Sequence, residues 1–399
     1  MVIFTIIIIL IFIILLKIID LLFRRDECIS KCYDRYSDSD TVLGGRMRKR
    51  PDSEIKIESN VVYNWNAMTF YMITWNVNNK PPPVEGIKSL LTPADNKVKS
   101  PDFDCIALEE IDLTAKGLIN GQTDKTKPWK DAIERTLLKM HRMNGERYVR
   151  VCDQQMVGLY VLVYTRAVNV PRIKNVKASH VGTGIMKRMG NKGGVGISFT
   201  VDDAKVMIVG AHFNAHTEGL QRRNEDYDTI TKKLGEYSTI FVDHDIVIWL
   251  GDLNYRLDPC LSYDHVLSKI NDKQYDYLYQ YDQLNTERAA NRVFSGFEEG
   301  KIEFPPTYKF DVKNNPDQYL PKDKLLRIPA WCDRVLWNVC DRTKPSNEKI
   351  NKMQDIIPGK LKPYQINYSE YRWHPSYRIS DHKPVSCLLT CAIKHRGQN

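Results

Sequence analysis

The chain has 399 residues, 42% of them hydrophobic and 27% charged, and 58 Lys and Arg against 49 Asp and Glu give it a formal charge of +9. These proportions are ordinary for a globular protein and set aside a disordered or fibrous chain. The positive balance suits an anionic partner, whether nucleic acid, acidic membrane or phosphorylated substrate, and composition does not choose among the three.

The first feature along the chain is apolar. Residues 1–16 carry no charge and are nearly all Ile, Leu, Phe or Val; Lys17 and Asp20 interrupt, and Arg24-Arg25 closes the run. At about 1.5 Å per residue, a helix over residues 2–23 spans roughly 33 Å, close to a bilayer core. A cleavable signal peptide is the rival reading, but the run has no basic n-region and no A-x-A-like site. The pattern predicts a retained transmembrane anchor over residues 1–24. Lys17, Arg24, Arg25 and the basic cluster at 46–50 all follow it, which places the bulk of a single-pass chain on the cytosolic side. The basic cluster reads either as a solvated linker or as a contact for anionic headgroups. Nine cysteines, an odd number without a C-x-x-C pair, read as reduced structural thiols rather than a disulfide framework or a zinc site.

Residues 25–62 are polar and lack sustained periodicity, as a linker would be. A catalytic domain is expected over 63–395. Its strand candidates are 69–75, 103–108, 158–164, 194–200, 205–212, 245–250, 334–339 and 385–390. Helix candidates are 129–141, 218–234 and 283–291. Asp202-Asp203 between two apolar runs suggests an antiparallel hairpin. This many strands exceeds one small sheet, so two packed sheets covered by helices are expected.

Polar residues recur where the apolar strands stop, which is where a sheet presents side chains to a cleft. One run ends at Asn76, another at Glu109-Glu110, a third at His212 with His216 following, and a fourth at Asp252-Leu253-Asn254; Ser380-Asp381-His382 precedes the last. A lone Asp or His in such a place is usually a cap or turn residue. Five such endings make a carboxylate–amide–imidazole set. Carboxylate and amide oxygens suit Mg²⁺. A hard cation with histidine and Asp-x-Asn is what phosphate-ester hydrolysis needs: the metal neutralises phosphoryl oxygens, a carboxylate activates water, and imidazole stabilises or protonates. The loop at 187–194 packs cations and glycines for close approach by an anion, without the spacing of a nucleotide-binding P-loop. Tyr308-Lys309, Arg327 and Arg334 add cations late in the chain; Arg334 lies beside Trp331 at the start of an apolar strand, unlike a solvated cation.

The segments TWNVN, RMGNKGG, AHxxAH with RRNxDY, WLGDLNYR, FPPTYKFD, PAWCDRVLW and SDHKPVS stand in that order between residues 69 and 389. Together they resemble the inositol polyphosphate 5-phosphatase family. The resemblance implies an α/β four-layered sandwich, two packed mixed β-sheets flanked by helices, as in deoxyribonuclease-like enzymes. It implies that Asn76 and Glu110 help bind Mg²⁺, with Asp381 near the same site. Asp252 would be the general base, with Asn254 orienting water or phosphate. His382, held by Asp333, would contact the scissile phosphate, and His212 would stabilise a phosphate oxygen. Asn191, Lys192, Tyr255 and Arg256 look like inositol-phosphate contacts, and Tyr308, Lys309 and Arg327 like ligands of the neighbouring 4-phosphate. Arg334 would support the site. Two departures stand out: Glu109 replaces the family's usual Gln, adding charge beside the metal ligand, and Phe213-Asn214 replaces the commoner Leu plus a small residue.

The expected activity is Mg²⁺-dependent removal of the 5-phosphate from membrane phosphoinositides. The alternatives are a metal-dependent nuclease on the same scaffold and a 5-phosphatase of soluble inositol phosphates. A nuclease leaves the RMGNKGG and Tyr308-Lys309/Arg327 cations without a task, and an anchor favours a lipid substrate in an anionic membrane over nucleic acid. No protein partner is identifiable from the sequence.

Overall fold

Two seven-residue runs without polar alternation, Phe103–Glu109 and Ile246–Asp252, are buried at every position, as strands in sheets covered on both faces must be. The computed structural model describes residues 54–55, 63–95, 97–98, 100–112, 124–184, 191–235, 239–321, 327–340 and 364–395. The expected anchor over 1–24, the basic cluster at 46–50 and residues 187–190 of the cationic loop lie outside them. Among the described residues no helix is long and apolar enough to cross a membrane.

In chain order the strands are β1 (Glu54–Ile55), β2 (Tyr63–Asn76), β3 (Phe103–Glu109), β4 (Tyr148–Met156), β5 (Leu159–Arg166), β6 (Ile173–Gly182), β7 (Gly193–Val201), β8 (Ala204–His212), β9 (Ile246–Asp252), β10 (Glu298–Glu299), β11 (Phe310–Asp311), β12 (Asn315–Tyr319), β13 (Asp333–Val339), β14 (Gln365–Trp373) and β15 (Val385–His395). The described helices are α1 (Thr126–Asn144), α2 (Leu220–Lys233), α3 (Ile240–Asp243), α4 (Tyr263–Asn271), α5 (Tyr275–Tyr279) and α6 (Gln283–Ala289). One sheet runs β14-β15-β2-β3-β5-β4, with β1 added on β2; the other runs β10-β13-β9-β8-β7-β6. Both are mixed, each with one parallel pair: β2 with β3, and β8 with β9. The short strand β1 falls inside the stretch expected to be linker.

The inner faces of the two sheets share one core, in which Phe70, Phe103 and Val161 of the first pack with Ile197, Ile208, Ile248 and Val335 of the second. The approach is close: a Cβ on Gly210 would lie 2.3 Å from Val161 Cγ2. On α1, Trp129, Ile133, Leu137 and Met140 recur at intervals of three or four, so they form one stripe, buried on the outer face of the first sheet. Each such side chain contributes roughly 1.5–3 kcal/mol on burial. Tyr227, Ile230 and Leu234, in and just beyond α2, cover the second sheet with Phe294 and Phe297. The layers are therefore helix, sheet, sheet, helix.

All eight predicted strands are present, and the expected hairpin joins β7 to β8 with Val201 opposite Ala204. Of the strands missing from that reading, β4, β6 and β14 lie at or next to sheet edges, where Lys174, Lys177, Gln365 and Arg372 interrupt the apolar signal. The seven described cysteines are free, and all but Cys260 are buried.

Just beyond β14, His374 is 5% exposed, with Nε2 2.8 Å from Ser386 Oγ. Burial, with Arg372 nearby, lowers its pKa to about 3. Above the ordinary histidine value near pH 6.5 both folded and unfolded chains hold it neutral. Below that value only the unfolded chain takes up the proton, so stability falls by about 1.4 kcal/mol per pH unit until pH reaches about 3. Denaturant titrations at pH 7 and pH 4.5 are expected to show a smaller acid loss in His374→Gln than in the parent. Equal losses would mean that His374 charges freely in the folded state.

Candidate active site

The site forms where the ends of five strands, β2 and β3 of the first sheet and β8, β9 and β13 of the second, face each other across the sandwich. In the second sheet, register places His212 opposite Asp252 and Asp252 opposite Asp333, so three functional side chains stand in one row on β8, β9 and β13. Gly251 permits this spacing. Its φ is 149°, and a Cβ there would lie 1.9 Å from Ala211 O, so no other residue fits before Asp252. In the first sheet, Asn76 pairs with Glu109 in register. Asn76 Nδ2 bridges the two sheets by donating to Asp252 Oδ2 at 3.0 Å.

Asp252 is 1% exposed, accepts from Asn254 N at 3.0 Å, and lies 3.3 Å from His212 Nε2 and 3.8 Å from His382 Nε2. Burial opposes ionisation, yet His382, His212 and Lys192 hold its carboxyl far below the usual carboxylate range. His382 Nδ1 lies 3.0 Å and 3.2 Å from the two oxygens of Asp333, and Thr307 Oγ1 donates to Asp333 at 2.6 Å. Burial disfavours the imidazolium, but Asp333 and Asp252 outweigh it and push His382 up to about 9. Trp75 Nε1 donates to the His382 carbonyl at 3.1 Å, and the Tyr308 ring lies on the His382 imidazole with 4.4 Å between centroids. Asp333 and Tyr308 thus fix the imidazole, and Trp75 fixes the backbone that carries it.

The cations divide between rim and floor. Lys192 Nζ contacts His212 Nε2, and burial pushes its ammonium down. Lys309 is ion-paired with Asp381, and Arg256 stacks over Tyr308 at 4.5 Å while donating to Asn254 Oδ1. Asn254 Nδ2 in turn donates to Phe213 O at 3.1 Å. Asn191, beside the undescribed part of its loop, has a buried side-chain oxygen with no partner among the described residues. Arg327 is half-buried ahead of Trp331. Tyr255 is not brought to the cleft: its side chain is fully buried, and its hydroxyl donates to Asn224 of α2 at 2.9 Å. Arg334 is also fully buried, against Asp282 and Glu299.

Two groups could hold a cation. The atoms of Asp252, Asp333 and His382 lie within 4.8 Å of one another, but both carboxylates are already committed to the imidazole. Asn76, 1% exposed with Oδ1 accepting from Asn78 N at 3.0 Å, offers an amide oxygen from within the cleft, and Glu110, its side chain 24% exposed and 3.8 Å from His212, offers a carboxylate at the rim. Burial opposes ionisation of Asp381, but His382 and Lys309 beside it outweigh burial and hold that third carboxyl below its usual range. An all-oxygen set suits a hard divalent cation, and the residues fit one, with Asn76 and Glu110 as its holders. Several supporting groups lie inside the quoted motifs without being singled out as site residues: Thr307, Thr74, which donates to Glu109 at 3.0 Å, and Ser380, which donates to Asn76 O at 2.6 Å. Isolated hydroxyls are too common for position alone to mark them.

Residues 73–388 match the model of the endonuclease/exonuclease/phosphatase family 2. The chain is 33% identical over 348 residues to the type II inositol 1,4,5-trisphosphate 5-phosphatase of Mus musculus, covering 85% of this chain and 31% of that protein. It is 41% identical over 275 residues to the type I inositol polyphosphate 5-phosphatase 5 of Arabidopsis thaliana, covering 65% of this chain and 46% of the relative. It therefore spans less than half the length of either. Among solved structures, the inositol polyphosphate 5-phosphatase domain of SPsynaptojanin, in complex with inositol (1,4)-bisphosphate and calcium ion, superposes with a TM-score of 0.69 at 27% identity, covering 84% of this chain and 87% of that one.

Proposed function

The chain belongs to the endonuclease/exonuclease/phosphatase family 2, and from that premise we propose that it is a Mg²⁺-dependent phosphoinositide 5-phosphatase acting on a membrane to which its N-terminal segment anchors it, with the catalytic domain on the cytosolic side. The observation that carries this reading is the row His212–Asp252–Asp333 with His382 seated on Asp333, facing Asn76. Relatives that are named inositol 5-phosphatases support the reaction class. The uncharged run at residues 1–16 supports a lipid rather than a diffusible substrate.

Asn76 and Glu110 would hold a divalent cation, whose chemistry when bound would be charge neutralisation at a phosphoryl oxygen. The protein groups do the rest. Asp252 is ionised and fixed by Asn76 and Asn254, ready to accept a proton from water. It is a weak base while His382, His212 and Lys192 face it. A phosphate entering beside His382 and Lys192 draws these cations toward its own oxygens and leaves the carboxylate more basic when water must be deprotonated. His382, charged by Asp333, meets the phosphate as a cation. Lys309 and Arg256, both against the Tyr308 ring, suit a second phosphate.

The test is phosphate release by the purified chain with Mg²⁺ or EDTA. The substrates are phosphatidylinositol 4,5-bisphosphate vesicles, soluble inositol 1,4,5-trisphosphate and a short duplex DNA. Mg²⁺-dependent release, fastest from vesicles, is expected. Release from the soluble compound alone would move the reading to that substrate, and cut DNA with intact lipid would overturn it. Replacing Lys309 and Arg327 with Ala is expected to raise KM at least tenfold for substrates bearing a 4-phosphate and much less for those lacking one. Equal losses on both would remove these residues from 4-phosphate binding.

A further inference from the structure

Just past β8, the peptide unit that joins Phe213 to Asn214 is held on both sides. Its N–H donates to the Asp226 carboxylate of α2 at 2.7 Å, and the Asn214 side-chain Nδ2 donates to the same carboxylate at 2.7 Å and 2.9 Å. A small residue in place of Asn214 could make only the first of these bonds. The carbonyl of the unit, Phe213 O, accepts from Asn254 Nδ2 at 3.1 Å. A peptide unit is planar, so its N–H and C=O turn together. Whatever fixes the Asn214 N–H therefore fixes the direction in which Phe213 O meets Asn254.

The turn that depends on this carbonyl carries the base. Phe213 N donates to Asp252 O at 3.0 Å, so the Phe213 backbone grips both ends of the turn from Asp252 to Asn254. Asn254 sits in the left-handed region at φ 55°, and its N–H donates to Asp252 Oδ1. Past Asn214 the chain leaves the core, with His216, Thr217 and Glu218 exposed. Asp226 is the buried fixed point, 1% exposed, on a helix whose Tyr227 and Ile230 pack on the second sheet. Arg223, three residues earlier on that helix, donates to His216 O and to Gln283 Oε1, each at 2.7 Å. Gln283 Oε1 also accepts from Arg256 N at 3.0 Å, which ties the far side of the turn to the same helix.

We propose that Asp226 is a positioning residue for Asn254 and the Asp252 base: through the Phe213–Asn214 peptide it sets where the Asn254 amide stands, without touching substrate. The inference rests on the hydrolase reading, with Asn254 orienting water or phosphate. A carboxylate that only tied down a loop would serve stability alone. Here the tie ends on the nitrogen of the Asn254 amide while the Arg256 guanidinium takes its oxygen, so both ends of that amide are fixed. A displacement of about 1 Å in such a group can lower a rate roughly 10²-fold.

The experiment measures Mg²⁺-dependent phosphate release from phosphatidylinositol 4,5-bisphosphate vesicles and from soluble inositol 1,4,5-trisphosphate, with thermal unfolding followed in parallel. The full chain is compared with Asp226→Ala, Asp226→Asn, Asn214→Ala and Asn254→Ala, and with double variants that add Asn254→Ala to Asp226→Ala or to Asn214→Ala. Asp226→Ala is expected to lower kcat about tenfold or more with KM within about threefold, and Asn214→Ala, which keeps the main-chain bond, about threefold. Asp226→Asn keeps an acceptor for the Asn214 N–H and is expected to recover most of the rate. With Asn254→Ala already present, the same substitutions are expected to change kcat by less than about twofold, which a merely structural role would not produce. Equal factors with and without Asn254, or a loss in Asp226→Asn as large as in Asp226→Ala, would overturn the inference. Should Asp226→Ala not fold, the Asn214→Ala pair decides by the same comparison. Unchanged variants beside an active wild type would overturn the inference alone. No release by wild type from either compound would overturn the proposed function and this inference with it.

Discussion

Asp252→Ala is expected to lower kcat by at least ~10³-fold, with little change in the folded structure, because a positioned proton acceptor contributes about that factor. The residue stands at the centre of the row: it accepts from Asn76 and Asn254 and lies between two imidazoles, at 3.3 Å and 3.8 Å. Removing it therefore takes away the base and the anchor of its neighbours together. His382→Ala is expected to lose turnover to a similar extent, and the double variant to lose little more than either single one, since groups that act as a unit are not additive. Steady-state rates on lipid vesicles, with circular dichroism as the check on folding, measure this. Near-normal turnover in either purified single variant would end the role assignment. A double variant that loses the product of the two single factors would mean that Asp252 and His382 act independently.

The second large effect concerns stability. Arg334 is fully buried and pairs with Asp282 at 2.9 Å and with Glu299 at 2.7 Å and 2.8 Å. Arg288 and Tyr371 also contact Glu299, at 3.0 Å and 3.2 Å. Arg334→Met is expected to cost about 3–5 kcal/mol, because it leaves Asp282 and Glu299 buried with too little positive charge. Adding Asp282→Asn to that variant is expected to restore part of the loss, since one uncompensated anion is then neutral. Denaturant midpoints of the three proteins decide the matter. A loss under about 1 kcal/mol in Arg334→Met would mean that the network contributes no more than a surface ion pair.

Several candidate residues, Asn76, His212, Asp252 and the carboxylate pair at 109–110, were legible one strand at a time because they end apolar runs. The loop-borne Asp381 and His382 were legible from their place ahead of the last apolar run and from family resemblance. The edge strands β4, β6 and β14 were illegible because an exposed edge carries charged residues that break the pattern. Tyr255 shows the opposite failure. It stands next to Arg256 in a segment full of site residues, yet successive side chains diverge, and Tyr255 turns into the core against Phe213.

What the sequence determined by itself was the inventory: which residues sit at strand ends, which hairpin joins β7 to β8, and that carboxylates, amides and imidazoles outnumber any zinc-like set. Only the tertiary structure decided how they meet. Central strands such as β3 and β9 are buried along their whole length, so no alternation says which face is inner. That face is fixed when the two sheets stack, and stacking sets Asn76 against Asp252, turns Glu109 inward and puts His382 on Asp333. These are contacts between residues separated by 176, by 49 or by a whole sheet, and they arise from packing that no local pattern encodes.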